Sequence, residues 1–384
     1  MQTASTLTTD RLASVAPNRL LSLDAFRGLT VAAMIMVNNP GDWNHVYPPL
    51  EHAAWNGWTP TDLIFPFFLF IVGVSITFAL GRGAEVAGHG VVRKIVKRSL
   101  TLFLLGLFLN FFPKFDIMTV RIPGVLQRIA LVYLACSLIF LQNTPRQQLY
   151  ILGSILVGYW LLMTLVPVPG VGYANLEPET NLAAWLDRTL LTPAHVYKPA
   201  RVWDPEGLLS TLPAVGTGIL GLLTGAWLRS SRPDTEKVAW LFVAGCFTTL
   251  AGLIWDGFFP INKALWTSSF VLLAGGLAML GLALSYWLID VKQRRKGVLP
   301  FVAFGVNAIT VFFLSGLIPR MMSLIHVNQP DGTPVGLKEY LYSTYIAPPF
   351  ADPTNASLAG ALTFVLIWFV ILWIMYRKSI IIKV

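Results

Sequence analysis

The chain has 384 residues, of which 55% are hydrophobic and only 12% charged, with a net charge of +9. Soluble domains carry roughly 25% charged residues, so this composition excludes an ordinary water-soluble protein. The apolar residues gather in runs of about 20, long enough to cross the hydrocarbon core of a bilayer. There, backbone groups find partners only within helices or closed barrels, and the expected fold is an all-α, polytopic transmembrane bundle.

Residues 1–19 are polar and mixed, without the apolar core and cleavage site of a signal peptide. A flexible cytoplasmic tail is expected there, followed by one transmembrane domain over 20–384. Ten spans are predicted, near 25–40, 62–80, 98–112, 122–141, 149–166, 208–228, 238–256, 267–289, 298–325 and 356–376.

The first span opens with Asp24 and Arg27, three apart on one helical face and able to pair. A charge inside the bilayer costs at least about 2.5 kcal/mol. Arg27 therefore either anchors the span at the interface or receives an anionic ligand. Asn38 and Asn39 follow about 17 Å along the helix.

The loop before the second span reads PLEHAAWNGWTPTDLIF. His52 stands among Trp55, Asn56, Trp58 and Asp62, and histidine exchanges protons near neutral pH. Asp62 opens the next helix at its positive end. His45 shares the loop but lacks that setting.

Gln127 and Arg128 fall inside the fourth span. Arginine keeps its proton, so Arg128 needs either a structural partner such as Asp24 or a phosphate, whose geometry guanidinium matches. Cys136 and Cys246 both lie in apolar spans and are expected to be buried small side chains; neither a disulfide framework nor a metal site is indicated. Before the sixth span come Asp204 and Glu206, which either cap that helix or face a ligand. Asn262 and Lys263 lie between Pro260 and Trp266, in an aromatic setting that suits a sugar and equally suits a membrane interface. The ninth span carries Asn307 and Pro319, and a broken helix is expected there.

Lysine and arginine clusters precede the first span, fall at 82–98, 146, 229–237 and 292–296, and close the chain at 377–383. With ten spans, all lie on one side. The positive-inside rule makes that side cytoplasmic and holds both termini there. The basic balance is a topology signal, and nucleic-acid binding is not indicated.

The strings RLLSLDAFRGLTVAAMIMVNN, EHAAWNGWTPTDLIFPFFLFIVGVSI, IPGVLQRIALVY, WDPEGLLSTLPAVGTGILGLLTG, INKALWTSSFVLLAGG and GVNAITVF are spread in order over roughly residues 19–384. In these strings the chain resembles the transmembrane domain of the heparan-alpha-glucosaminide N-acetyltransferase family. The resemblance implies an acetyl-CoA-dependent enzyme in the bilayer, with acetyl-CoA supplied from the cytoplasm and an amino sugar acetylated on the far side. It carries the family's active histidine to His52, an asparagine late in the first span to Asn38, and the Phe-Arg-Gly and Leu-Gln-Arg arginines to Arg27 and Arg128.

In this reading His52 is the general base or the acetyl acceptor, Asp62 orients it, and Asn38 or Asn56 stabilises the oxyanion. Arg27, Asn38 and Arg128, with Gln127, are expected to line one acetyl-CoA cavity, the arginines holding the cofactor phosphates near the cytoplasmic half. Trp55, Asn56, Asp204, Glu206 and Lys263 face the acceptor. The extra luminal domain and preceding span of the animal enzyme are not expected here, and the expected setting is a bacterial inner membrane with a small amino sugar or envelope saccharide as acceptor. A homodimer is left open. The competing classes are a transporter of sugars or lipid-linked saccharides and an O-acetyltransferase of an envelope polysaccharide. Paired halves, which transporters usually show, are not evident.

Overall fold

The computed structural model describes residues 20–81, 89–329 and 332–382. The expected tail at 1–19 and the basic residues within it lie outside the described residues, as do Arg82 and Lys383.

Helices cover all ten apolar runs. In chain order they are α1 Leu21–Val37, α2 Pro60–Leu80, α3 His89–Phe111, α4 Val125–Gln142, α5 Pro145–Leu165, the short α6 Leu182–Leu191, α7 Thr211–Leu228, α8 Asp234–Asp256, α9 Ser268–Tyr286, α10 Leu299–Val306, α11 Ala308–Met322, the short α12 Leu337–Leu341 and α13 Pro353–Arg377. Among the described residues, seven helices are long and apolar enough to cross a membrane, or eight if α10 and α11, bent by 77°, form one span. The two left out of that number are α1, with 17 residues, and α3, whose first turns are cationic.

The third run was expected to start at 98, yet α3 begins nine residues earlier. Ile95, Ser99 and Leu102 are buried while Arg93, Lys94, Lys97 and Arg98 are exposed. The helix is therefore amphipathic here, and a count of apolar residues misses it. The expected break in the ninth run is present. It falls at Asn307, and Pro319 is accommodated inside α11. Cys136 is buried as expected, whereas Cys246 is exposed on the outer face of α8. That is a correction: facing lipid and being buried by protein read alike in an apolar run.

Without a hydrophobic force between helices in lipid, close association relies on small residues. A Cβ on Gly73 would run into the carbonyl oxygen of Gly218, and one on Gly221 into that of Phe70. The α2 and α7 backbones thus touch, running parallel. Around them Val74, Val132, Ala214, Ile219 and Phe270 have no exposed surface.

The long connections are themselves structured. Residues 167–207 hold α6, and 326–355 hold a two-stranded antiparallel ribbon, β1 His326–Asn328 with β2 Pro334–Gly336, in addition to α12. A second apolar cluster, including Tyr159, Met163, Leu182, Phe259 and Leu265, fastens α6 and the α8–α9 loop to α5. The Tyr159 hydroxyl donates to Leu265 O at 2.7 Å.

Candidate active site

The α1–α2, α3–α4, α5–α7 and α8–α9 connections meet at one end of the bundle. α2 starts there with Pro60 at its first position, and Asp62 accepts the Thr59 backbone N–H at 3.0 Å. This capping arrangement satisfies orphan amides and sets a carboxylate at the positive helix end.

Asp62 also reaches back into the preceding loop. Its Oδ2 accepts the Ala53 N–H at 3.0 Å, and its Oδ1 lies 2.7 Å from His52 Nδ1. The Asp62 side chain is 1% exposed and that of His52 is 55% exposed, so a buried carboxylate holds an accessible imidazole. Lys263 approaches the same oxygen: Nζ lies 3.2 Å from Asp62 Oδ1, 3.0 Å from His52 Nδ1 and 3.5 Å from His52 Nε2. With Lys263 charged, both Nζ–H and Nδ1–H donate to Asp62, which leaves the Nε2 lone pair free toward the open loop. Burial pulls the Lys263 ammonium below its ordinary range, against the attraction of Asp62 and Glu206.

Backbone and amide contacts fix this triad. Gly57, at φ +94°, sends its N–H to Ile261 O at 2.8 Å. Asn262 Nδ2 donates to Asn56 Oδ1 at 3.2 Å. Trp55 donates to Leu176 O at 3.0 Å and packs edge-on against Trp203. The His52 loop is thereby clamped to the loops on either side.

Beneath it lies a buried charge cluster. The Asp-Pro-Glu-Gly string is a turn, closed by Gly207 N–H to Asp204 O at 2.9 Å. Neither acid caps α7, which starts at Thr211. Both instead take Arg121: its Nε donates to Asp204 Oδ2 at 2.8 Å, and its Nη2 to Asp204 Oδ1 at 2.6 Å and to Glu206 Oε2. Arg128 is 1% exposed. It donates to Ser210 Oγ and to Gly207 O, and lies 5.0 Å over the Trp266 ring. Among the described residues its Nε and Nη1 find no hydrogen-bond partner. Burial works to raise Glu206, but the Arg121 and Arg128 guanidiniums outweigh it and hold the carboxyl below its usual range. Asp187 accepts the Leu208 N–H and is pushed up to about 6, chiefly by burial, with the charge of Asp204 adding to it.

Asp24 and Arg27 pair as expected, at 2.9 Å. Arg27 also donates to Ser75 Oγ at 2.8 Å and lines a cavity of about 440 Å³ with Ser75, Arg98, Tyr133 and Asn307. This cavity is at the other end of the bundle, because α1 begins where α2 ends. The expected joint site of Arg27, Asn38 and Arg128 is therefore not formed. Arg128 is in the first turn of α4, at the His52 end, and its charge is met by Glu206 and Asp204 rather than by Asp24. Asn38 caps the end of α1 with its side chain exposed. Gln127 is buried, donating to Ile122 O at 3.0 Å.

His45 does have an acidic partner, Asp42 at 2.6 Å, but both side chains are substantially exposed. Arg121 escaped the sequence reading. Its signal was its position: a cation in a loop on the side where such residues are scarce.

A family model described as heparan-alpha-glucosaminide N-acetyltransferase, catalytic, matches residues 19–241, more than half of the chain. The match takes in His52, Asp62, Arg121, Arg128, Asp204 and Glu206, whereas Lys263 lies beyond it. Heparan-alpha-glucosaminide N-acetyltransferase of Homo sapiens is 32% identical over 358 residues, and that of Mus musculus 32% over 354. The alignments cover 78% and 77% of this chain and 53% of each relative, so the chain spans about half the length of the curated relatives it matches. A match of that extent, falling on the very strings that build the His52 loop and the acidic turn, establishes that the chain belongs to the heparan-alpha-glucosaminide N-acetyltransferase family.

Proposed function

We propose that the chain is a membrane-embedded acetyltransferase that moves an acetyl group from acetyl-CoA to an amino sugar at His52. The observation that carries this reading is the exposed imidazole held by a buried carboxylate, with the Lys263 ammonium beside its free nitrogen.

The amine of the sugar attacks the thioester carbonyl, and His52 Nε2 takes the proton that the nitrogen sheds. Asp62 keeps the Nδ1 proton in place and steadies the imidazolium. The carbonyl oxygen becomes an oxyanion within reach of Lys263 and the free amide N–H of Asn56. Collapse breaks the carbon–sulfur bond, and the departing thiolate takes the proton from His52. Trp55 and Trp203 offer aromatic faces to the sugar.

The Arg27 cavity suits the anionic end of acetyl-CoA, with Arg98 as a second cation. The cofactor then extends along α1 toward His52, about 17 Å for the eleven residues from Arg27 to Asn38. Incubating purified protein with labelled acetyl-CoA and glucosamine tests the reading. Labelled N-acetylglucosamine is expected, and its absence together with label on a hydroxyl acceptor would favour the O-acetyl alternative.

The bundle is placed in a cytoplasmic membrane with ten spans, the Arg27 end inside and His52 outside. The one-sided Lys/Arg pattern supports this. Reporter fusions after Arg98 and Lys296 should read cytoplasmic and fusions within 175–190 external; an external signal at Arg98 overturns the topology.

A further inference from the structure

We propose that the notch between the end of α3 and the end of α11 is a binding site for the anionic phosphate headgroup of a membrane lipid. The notch, of about 280 Å³, is lined by Lys114, Arg121, Lys198 and Arg320, with Asp116 as the carboxylate of its wall.

The charge there is unbalanced. Arg121 is spoken for by Asp204 and Glu206. Among the described residues, Lys114, Lys198 and Arg320 form no ion pair. Arg320 donates to the Gly316 carbonyl of its own helix, at 2.9 Å, and Lys198 to the Thr119 hydroxyl, at 3.5 Å, close enough to Asp116 for their charges to interact. The Asp116 oxygens are occupied by Thr119 Oγ1 and the Met118 N–H. Lys114, Lys198 and Arg320 thus line the notch against a single carboxylate, Asp116, whose charge Lys198 feels, and Arg320 brings its charge there from the last turn of a membrane helix.

The notch is also built. Asn110 Nδ2 donates to both Arg121 O and Pro123 O, at 2.8 Å each, pinning the loop. The Arg121 guanidinium stacks 4.8 Å from the Tyr197 ring, fixing the opposite wall.

The surroundings point to a lipid. Exposed apolar side chains adjoin the lining residues in sequence: Ile117 and Met118 after Asp116, and Leu324 and Ile325 shortly after Arg320. Leu100, Leu104 and Phe108, each exposed, form an i, i+4, i+8 stripe along α3 that runs to the notch. A phosphate among the cations would let acyl chains lie along that stripe. A free anion would gain nothing from the stripe.

The test uses the full chain, purified and delipidated in detergent and titrated with phosphatidylglycerol, phosphatidylcholine or inorganic phosphate, with retained lipid read by native mass spectrometry. Phosphatidylglycerol should be preferred over phosphatidylcholine, and Lys198→Gln and Arg320→Gln should each weaken it about fivefold while phosphatidylcholine binding stays unchanged. Lys198 is on an exposed loop, so its variant keeps the test valid if Arg320→Gln does not fold. Equal retention of the two lipids overturns the proposal, as does an undiminished preference in the Lys198→Gln protein. Displacement of phosphatidylglycerol by low millimolar inorganic phosphate assigns the notch to a free anion and equally overturns it.

Discussion

His52→Ala is expected to lower acetyl transfer by at least about 100-fold, the usual scale for losing a general base, while acetyl-CoA still binds. The substitution removes the atom that accepts the amine proton but leaves the Arg27 cavity, at the other end of the bundle, untouched. His45→Ala is the control. Its imidazole also contacts a carboxylate, but Asp42 is exposed whereas Asp62 is buried, and no cation comparable to Lys263 stands against it among the described residues. That variant should retain nearly the parent rate. Single-turnover transfer from labelled acetyl-CoA separates the two; parent-rate transfer by His52→Ala would move the active site to the Asp204, Glu206 and Arg128 cluster.

The largest stability effect is expected from Arg121→Ala. It leaves Asp204, with no exposed side-chain surface, and Glu206, at 10%, without their shared cation. Removing one partner of a buried ion pair typically costs about 3–5 kcal/mol, which thermal unfolding in detergent will read as a large drop in Tm. The loss has a pH signature. Without Arg121 the folded-state pKa of Asp204, already raised by burial, goes higher still, and Glu206 loses the larger of the two counter-charges that hold it down against burial and rises as well. The protonated forms are then the stable ones, and stability is present at low pH and lost as pH rises through the raised values. The variant's deficit should therefore shrink from pH 8 to pH 5. A deficit that does not change over this interval would mean the carboxylates are not the source. Asp187, already pushed up to about 6 by burial, contributes with the same sign in the parent protein.

Hydropathy located the ten long helical runs, because in lipid the backbone leaves few other choices, but not the short α6 and α12 in the connections. It did not locate where the helices stop, since the first turns of α3 are cationic on one face only. His52 and Asp62 were legible because a cap residue and a loop histidine lie ten residues apart in one segment. Lys263 was legible as a candidate from its aromatic setting but not as a neighbour of His52, since no local pattern announces that a lysine 211 residues on will touch an imidazole, and Arg121 reaches the acids from another loop far away in sequence. Arg27 and Arg128 looked like one site because both are arginines in apolar runs. What separates them is chain direction, which places one at each end of the bundle. Cys246 and Cys136 were indistinguishable for a similar reason: hydropathy does not tell lipid from protein.

The break at Asn307 has a bearing on the order in which the molecule is completed. The Asn307 side chain donates to Ile380 O at 3.1 Å and accepts from Ile382 N–H at 2.9 Å, standing in for one rung of a sheet. The two partners lie 73 and 75 residues further along, beyond α13. During synthesis, α10 and α11 leave the ribosome well before the residues that satisfy the bend between them. The nascent bundle therefore passes through a stage in which that amide is unmatched, and the ribosome finishes α13 before the bend can be sealed from behind.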